Sequence, residues 1–291
     1  MAKSHHTYIT VLFLSIFSNT IFSQNSNTSD QISVLEFGAI ANDNNNDREQ
    51  INNALKFCKE HKVSKLFFPP GKYILSHPEA IQLMEDVIDL KMGRNPEKVI
   101  FVPYYPYVKG LDLTGQNNLK LLGQGVELIC RGWMETISIE ESDNISIEGI
   151  TIDYERQPHS EGTIVDITDN YFDVVFGDDY PVKSNMVMPR IMFWDTTKNR
   201  LHKDPIYFPK KNKLIATQTL RIWGKLPPSY LNSIALINHS FHFRPAIFIH
   251  QSSDIVLKNV TIHSQPGMGI VGHRSNNITM DGLRVVPRAG K

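Results

Sequence analysis

Cysteine is nearly absent: only Cys58 and Cys130 occur in 291 residues. That is too few for a disulfide framework, and two cysteines so far apart lack the paired-ligand spacing of a zinc site. A single bridge between them stays open, but Cys58 falls on the apolar face of an expected helix, which favours two buried thiols. No charge excess exists, since 30 Lys and Arg balance 30 Asp and Glu. The basic field that collects nucleic acid is therefore missing, and neutral partners fit better. No apolar run reaches the roughly 20 residues that span a bilayer. No metal and no cofactor are expected. Aromatic residues make up 10% of the chain, compatible with a sugar-stacking surface but read more simply as core.

What is present begins with a leader. Lys3 precedes an apolar run from Ile9 to Phe17, and small Ser23 stands just before the polar stretch that starts at Gln24. This is the layout of a secretory signal peptide over residues 1–23, cleaved near Ser23. The mature protein is expected to be exported: periplasmic, cell-surface or secreted.

From Ile32 a short strand is expected, broken at Gly38, and the Asn/Asp run 42–47 ends in a helix N-cap. Ile51, Ala54, Leu55 and Cys58 then recur at the spacing of one buried helical face. Leu66 to Phe68 and Tyr73 to Leu75 read as strands around a Pro69-Pro70-Gly71 turn. A helix followed by short strands suits the open end of a coiled sheet, whose backbone groups and apolar interior need a cover.

Three segments align with one another, beginning at Ser142, Ser252 and Ser275, the last two 23 residues apart. A short period of this kind marks a solenoid. Each segment has a polar turn ending at Asn144, Asp254 or Asn277, an alternating strand, a bend at Gly149, Asn259 or Gly282, and a second short strand. Ile145, Ile147, Ile150 and Ile152 match Ile255, Leu257, Val260 and Ile262, then Ile278, Met280, Leu283 and Val285, so these should stack inward. A looser copy passes through Asn117, Leu119, Leu121 and Gly123. Three Asn-X-Ser/Thr sequons fall in the repeats, at Asn144, Asn259 and Asn277, and the turns already explain them.

Between the first and second copies the period lapses. Thr163 to Val175 alternates around a turn as a β-hairpin, and Ile191 to Trp194, Ile206 to Phe208 and Leu214 to Trp223 add strand candidates. The expected organisation is a cap and first coils over residues 24–153, an inserted β-rich subdomain over 154–243, and further coils over 244–291. The fold class is all-β, a parallel β-helix carrying an insertion.

The ordered FGA strand, capping helix and PPG turn resemble the start of the pectate-lyase-like right-handed β-helix superfamily. The passage GITIDYERQPHSEGTIVDITDNYFDVVF from Gly149, with HFRPAIFI and NVTIHSQPGMGIVGHRSNNITMDGLRVVP near the other end, is similar to glycoside hydrolase family 110. Those are exported bacterial exo-acting α-galactosidases that remove terminal α-1,3-linked galactose. The resemblance implies hydrolysis with inversion, a β-barrel-like insertion, and a partner that is an oligosaccharide ending in galactose. It also implies catalytic aspartates in a TDATHF-like motif and a neighbouring Asp-Asp pair after the VVP segment. Neither follows VVP here, so the catalytic residues are expected beyond Lys291 and the chain is expected to be an inactive, C-terminally incomplete portion of the enzyme.

Asp178 and Asp179 form a pair, but adjacent strand residues face opposite ways and a Gly-Asp-Asp-Tyr-Pro context reads as a turn. Asp153 and His263 occupy one column just after the second strand of aligned coils, with Val286 next in that column. A groove there could be lined by Tyr154, Glu155, Arg244, His273 and Arg274, with Arg and His hydrogen-bonding sugar hydroxyls. A pectate-lyase or polygalacturonase-like enzyme is the rival on this scaffold, though the acidic cluster that would hold Ca²⁺ is not evident. A non-catalytic carbohydrate-binding β-helix is the other alternative.

Overall fold

The computed structural model describes residues 30–93, 95–100, 105–157, 159–180, 182–186, 188–209, 211–239 and 245–288. The leader and Arg244 lie outside them. Three ladders of parallel strands run down the molecule. One carries the first strand of each coil, with Gln31–Ser33, Lys65–Phe67, Asn117–Arg131, Asp143–Tyr154, Ser253–Lys258 and Asn276–Asp281 paired in that order. The long strands Asn117–Arg131 and Asp143–Tyr154 continue into a second ladder with Gly71–Ser76, Thr261–Ile262 and Arg284–Val285. A third joins Lys109–Asp112, Glu135–Glu140, Ile247–His250 and Ile270–His273. This is a parallel β-helix.

The aligned repeats stack in the expected register. Leu66 pairs with Leu121, Leu121 with Ile147, Ile147 with Leu257, and Leu257 with Met280, forming one interior column. The members from Leu66 to Leu257 are fully buried, and each such side chain contributes on the order of 1.5–3 kcal/mol of transfer free energy. Met280 departs from the expectation of a buried row: it keeps the column's register but is 46% exposed. Val285, the partner of Ile262, is exposed as well. Among the described residues no strand pairs beyond these two.

The corners repeat as strictly as the strands. Asn118, Asn144, Asp254 and Asn277 all hold a left-handed backbone, with φ between 52° and 55°, a conformation Asn and Asp tolerate better than other non-glycine residues. Their side chains pair down the stack, Asn144 Nδ2 donating to Asn118 Oδ1 at 2.7 Å and Asn277 Nδ2 to Asp254 Oδ1 at 3.0 Å. Just before these corners, a serine ladder satisfies the turn backbone. Ser142 N–H donates to Ser252 Oγ and Ser252 N–H to Ser275 Oγ, both at 3.1 Å. Each hydroxyl donates in turn to a corner carbonyl, Ser252 Oγ to His250 O at 2.8 Å.

The capping helix spans Arg48–His61 and buries Ile51, Ala54, Leu55 and Cys58, the expected face. Its N-cap Asp47 makes no side-chain cap bond. The carboxylate instead accepts from the Ile40 and Ile74 N–H groups at 2.9 and 3.1 Å, tying the entering chain to the first coil. Asn52 closes the open edge of the third ladder: its amide donates to Gly110 O at 2.6 Å and accepts from Asp112 N–H at 2.8 Å, as a neighbouring peptide would. Both thiols are free and buried, each pushed up to about 12 by burial.

Residues His159–Asn238 leave the coil and form a seven-stranded antiparallel sheet with its own core of Ile164, Phe172, Val174, Ile191, Phe193, Leu220, Ile222 and Ile237. Its hairpin pairs Thr163 with Val175. Arg200–Tyr207 and Asn212–Ala216 are its two edges, yet the sheet curls enough for the Tyr207 hydroxyl to donate to Trp223 O at 3.2 Å. Where the coil hands over to this sheet, Arg156 donates to Gln157 O, His159 O and Ser160 Oγ at 2.6–2.8 Å and lies over the Tyr180 ring. Asp178 and Asp179 sit in a turn, as expected.

Candidate functional site

Strand alternation decides which side chains the second ladder presents. Ile150, Ile152 and Tyr154 point into the core, whereas Thr151, Asp153 and Glu155 take the outer face. Asp153 pairs with Ile129 in the preceding coil, and His263 N–H donates to Ile152 O at 2.9 Å in the next. Val286 N–H donates to Ile262 O at 3.1 Å, so Asp153, His263 and Val286 share a column.

The outer face is organised by Arg288, which no repeat or motif in the sequence singles out. Past Val286 the chain turns back, and Arg288 Nε donates to Asp153 Oδ2 at 2.6 Å while its Nη2 donates to Glu127 Oε2 at 3.2 Å. Asp153 also accepts from Ser264 Oγ at 2.5 Å and from the Tyr154 N–H at 2.9 Å. Burial alone would raise its carboxyl. The bonds from Ser264, Arg288 and the Tyr154 N–H, with the guanidinium charge, outweigh that and hold it below the usual range. A carboxylate so depressed and so fully engaged is ionised at neutral pH and cannot serve as a general acid. It is a clamp.

His263 Nδ1 lies 3.0 Å from Val286 O. A carbonyl only accepts, so Nδ1 carries the proton, and in the neutral ring Nε2 is left as an acceptor for a ligand hydroxyl. Glu155 is exposed and accepts from Arg131 Nε at 3.0 Å. Carboxylate, guanidinium and imidazole thus line one outer face made of Glu127, Arg131, Asp153, Glu155, His263 and Arg288. Such a face can hydrogen-bond vicinal hydroxyls.

Three of the expected lining residues are not there. Tyr154 is a correction: it is 1% exposed, with its hydroxyl donating to Met134 O at 2.7 Å and lying 2.9 Å from Thr136 Oγ1. Burial, with Cys130 beside it, drives its phenol far up. The period of two already places it inward, behind Ile150 and Ile152. His273 and Arg274 belong to a different corner. His273 ends the strand Ile270–His273 in the third ladder and stacks on His250 at 5.2 Å, while Arg274 is exposed at the following left-handed turn. His250 in turn faces Glu140, whose carboxylate binds Lys109 Nζ at 2.8 Å. Arg244 is outside the described residues. No group of three or more His, Cys, Asp or Glu able to hold a metal occurs among the described residues, and no helix among them is long and apolar enough to cross a membrane.

No protein-family model matches the chain. Individual proteins do. It is 24% identical over 287 residues to alpha-1,3-galactosidase A of Shewanella woodyi, covering 90% of this chain and 45% of that protein. It is 26% identical to alpha-1,3-galactosidase A of Bacteroides fragilis and 23% identical to alpha-1,3-galactosidase B of Bacteroides thetaiotaomicron, in each case over 89% of this chain and 44% of the other. The chain is similar to alpha-1,3-galactosidases along about nine-tenths of its length. That agrees with the family resemblance of its TIDY and GHR passages, and the chain spans less than half the length of these galactosidases. Two solved structures overlap it loosely. The Streptococcus pneumoniae surface adhesin PfbA does so with a TM-score of 0.41 at 13% identity, over 90% of this chain and 40% of that one. A glycosyl hydrolase described as putative, from Parabacteroides merdae, does so with a TM-score of 0.32 at 9% identity, over 88% and 98%. At these scores they add nothing to the strand registers above.

Proposed function

We propose that the protein to which this chain belongs is an exported glycoside hydrolase that removes terminal α-1,3-linked galactose from oligosaccharides with inversion. The observation that carries this reading is the similarity to alpha-1,3-galactosidases A and B along about nine-tenths of the chain. The β-helix supports it, because a stack of flat ladders can offer an extended outer face to a glycan. The proposed part of this chain is to build the scaffold and supply the polar face around Arg288, Asp153 and His263, where Arg and His hydrogen-bond sugar hydroxyls.

The acid and base of the reaction are proposed to come from coils that these residues do not include. Asp153 is held ionised by its clamp, Glu155 is tied to Arg131, and the Asp178-Asp179 pair sits in a turn of the insertion. The TDATHF-like motif does not occur in the sequence. Export is proposed from the apolar run and small residue that precede Gln24. The test is release of galactose from an α-1,3-galactosyl trisaccharide of blood group B type, with the anomer of the product followed by NMR. Absence of galactose release by a chain extended through those motifs would overturn the reading.

A further inference from the structure

Away from the coil, the insertion carries a groove of its own. In the pairing of Arg190–Asp195 with Arg200–Tyr207, Met192 pairs with Ile206 but Trp194 pairs with Leu201. Residues 202–205 therefore bulge from an edge strand with only Phe193 opposite them. Bulges of this kind re-aim side chains. Here the bulge and the turn Pro228–Tyr230 enclose an open groove of ≈ 490 Å³, within the range of roughly 300–1,000 Å³ for small-ligand clefts.

Its chemistry is uneven. The His202 ring lies flat on Tyr230, with centroids 3.8 Å apart and planes 18° apart, and Ser233 Oγ fixes it at 2.8 Å from Nε2. Tyr230 is buried and its hydroxyl donates to Asp204 O at 2.9 Å, so the stack is a rigid floor rather than a mobile ring. Asp195 is consumed by Lys198 Nζ at 3.0 Å and by the N–H groups of Thr197 and Lys198. Arg200 and Lys203 are exposed at the groove and have no ionic partner among the described residues; with the exposed Asp204 carboxylate also in the lining and Lys198 spent on Asp195, the groove keeps one net positive charge. An aromatic floor suits the flat face of a pyranose, while a free guanidinium and ammonium suit a carboxylate or sulfate.

We propose that this groove binds an acidic saccharide, with the sugar ring over His202 and its anionic group between Arg200 and Lys203. It is a binding site on the insertion, independent of whether the coil hydrolyses galactosides. The experiment is calorimetric titration of the full chain with 3′-sialyllactose and with a 6-sulfated lactose, which distinguish carboxylate from sulfate. Lactose and a short DNA oligonucleotide are run beside them, and each is repeated on Arg200→Gln/Lys203→Gln. Both replaced side chains are exposed, so the thermal midpoint of the variant should match the wild type. The expected result is that at least one acidic sugar binds about tenfold or more tightly than lactose and the variant loses that margin. Equal binding of lactose, an undiminished variant, or DNA bound as well as the acidic sugars would overturn the proposal. A double variant with an altered midpoint is replaced by Lys203→Gln alone, which must still weaken the acidic sugar severalfold.

Discussion

Arg288 reaches back across the coil to Asp153, Nε to Oδ2 at 2.6 Å, and pins the returning segment to a buried carboxylate. Arg288→Ala should therefore destabilise the coil. Asp153 is nearly fully buried, but Arg288 is 26% exposed, which places the cost at about 2–3 kcal/mol, below the range for a fully buried pair. Urea unfolding measures it, and a midpoint equal to the wild type would show that the clamp is not formed.

The same clamp predicts an acid limb. The folded-state pKa of Asp153 is depressed, so its contribution is present above the unfolded carboxylate value of about 3.9 and is lost as pH falls through the lower folded value. Stability should drop on acidification below about pH 4, and Asp153→Asn should flatten part of that drop. Asp112 and Glu140 are among the other carboxylates held depressed, so part of the drop remains. Unfolding free energies across pH 2–6 in both proteins are the check.

Gly132 should not accept a side chain. Its φ is 86°, and a Cβ would meet the backbone of Ala80 and Ile81 at 2.4–2.7 Å. That backbone belongs to the helix Pro78–Ile88, whose Ala80 O accepts from Trp133 N–H at 2.8 Å. Gly132→Ala should cost more than about 1 kcal/mol and raise hydrogen exchange throughout that helix. Unchanged exchange there would contradict the packing.

Cys58 and Cys130, buried and with thiols pushed up to about 12, should ignore a thiol reagent in the native protein and react only on unfolding. A colour assay with and without denaturant decides it. Reaction of either thiol in the native state would place it at the surface.

Much of the coil was legible because its signals are local. The period of two put Ile145, Ile147, Ile150 and Ile152 inside, and the Asn or Asp at each corner marked a left-handed turn that the backbone does adopt. The hairpin about Thr168–Asn170 was visible for the same reason. The third ladder was not: strands such as Ile247–His250 and Ile270–His273 do end at the aligned polar turns, but at four residues each they are too short for an alternation to stand out. The helix Pro78–Ile88 was also missed, although Pro78 at its first position and acidic Glu79 in its first turn are helix start signals. The outer face was half legible. With Glu155 expected beside them, Asp153 and His263 followed from the alignment of coils. Arg288 did not, since its role depends on the chain turning back after Val286 to a strand 135 positions earlier.

We propose that this coil forms part of a galactosidase whose acid and base lie outside it and whose polar outer face binds the sugar. The most direct measurement is galactose release from the blood group B type trisaccharide by two proteins, the 291-residue chain and one extended through the TDATHF-like and Asp-Asp motifs. Loss of a general acid or base typically lowers the rate about 10² to 10⁴-fold, so the extended protein should release galactose and the shorter chain should release almost none. Equal turnover by the two, or none by the extended one, would contradict the account.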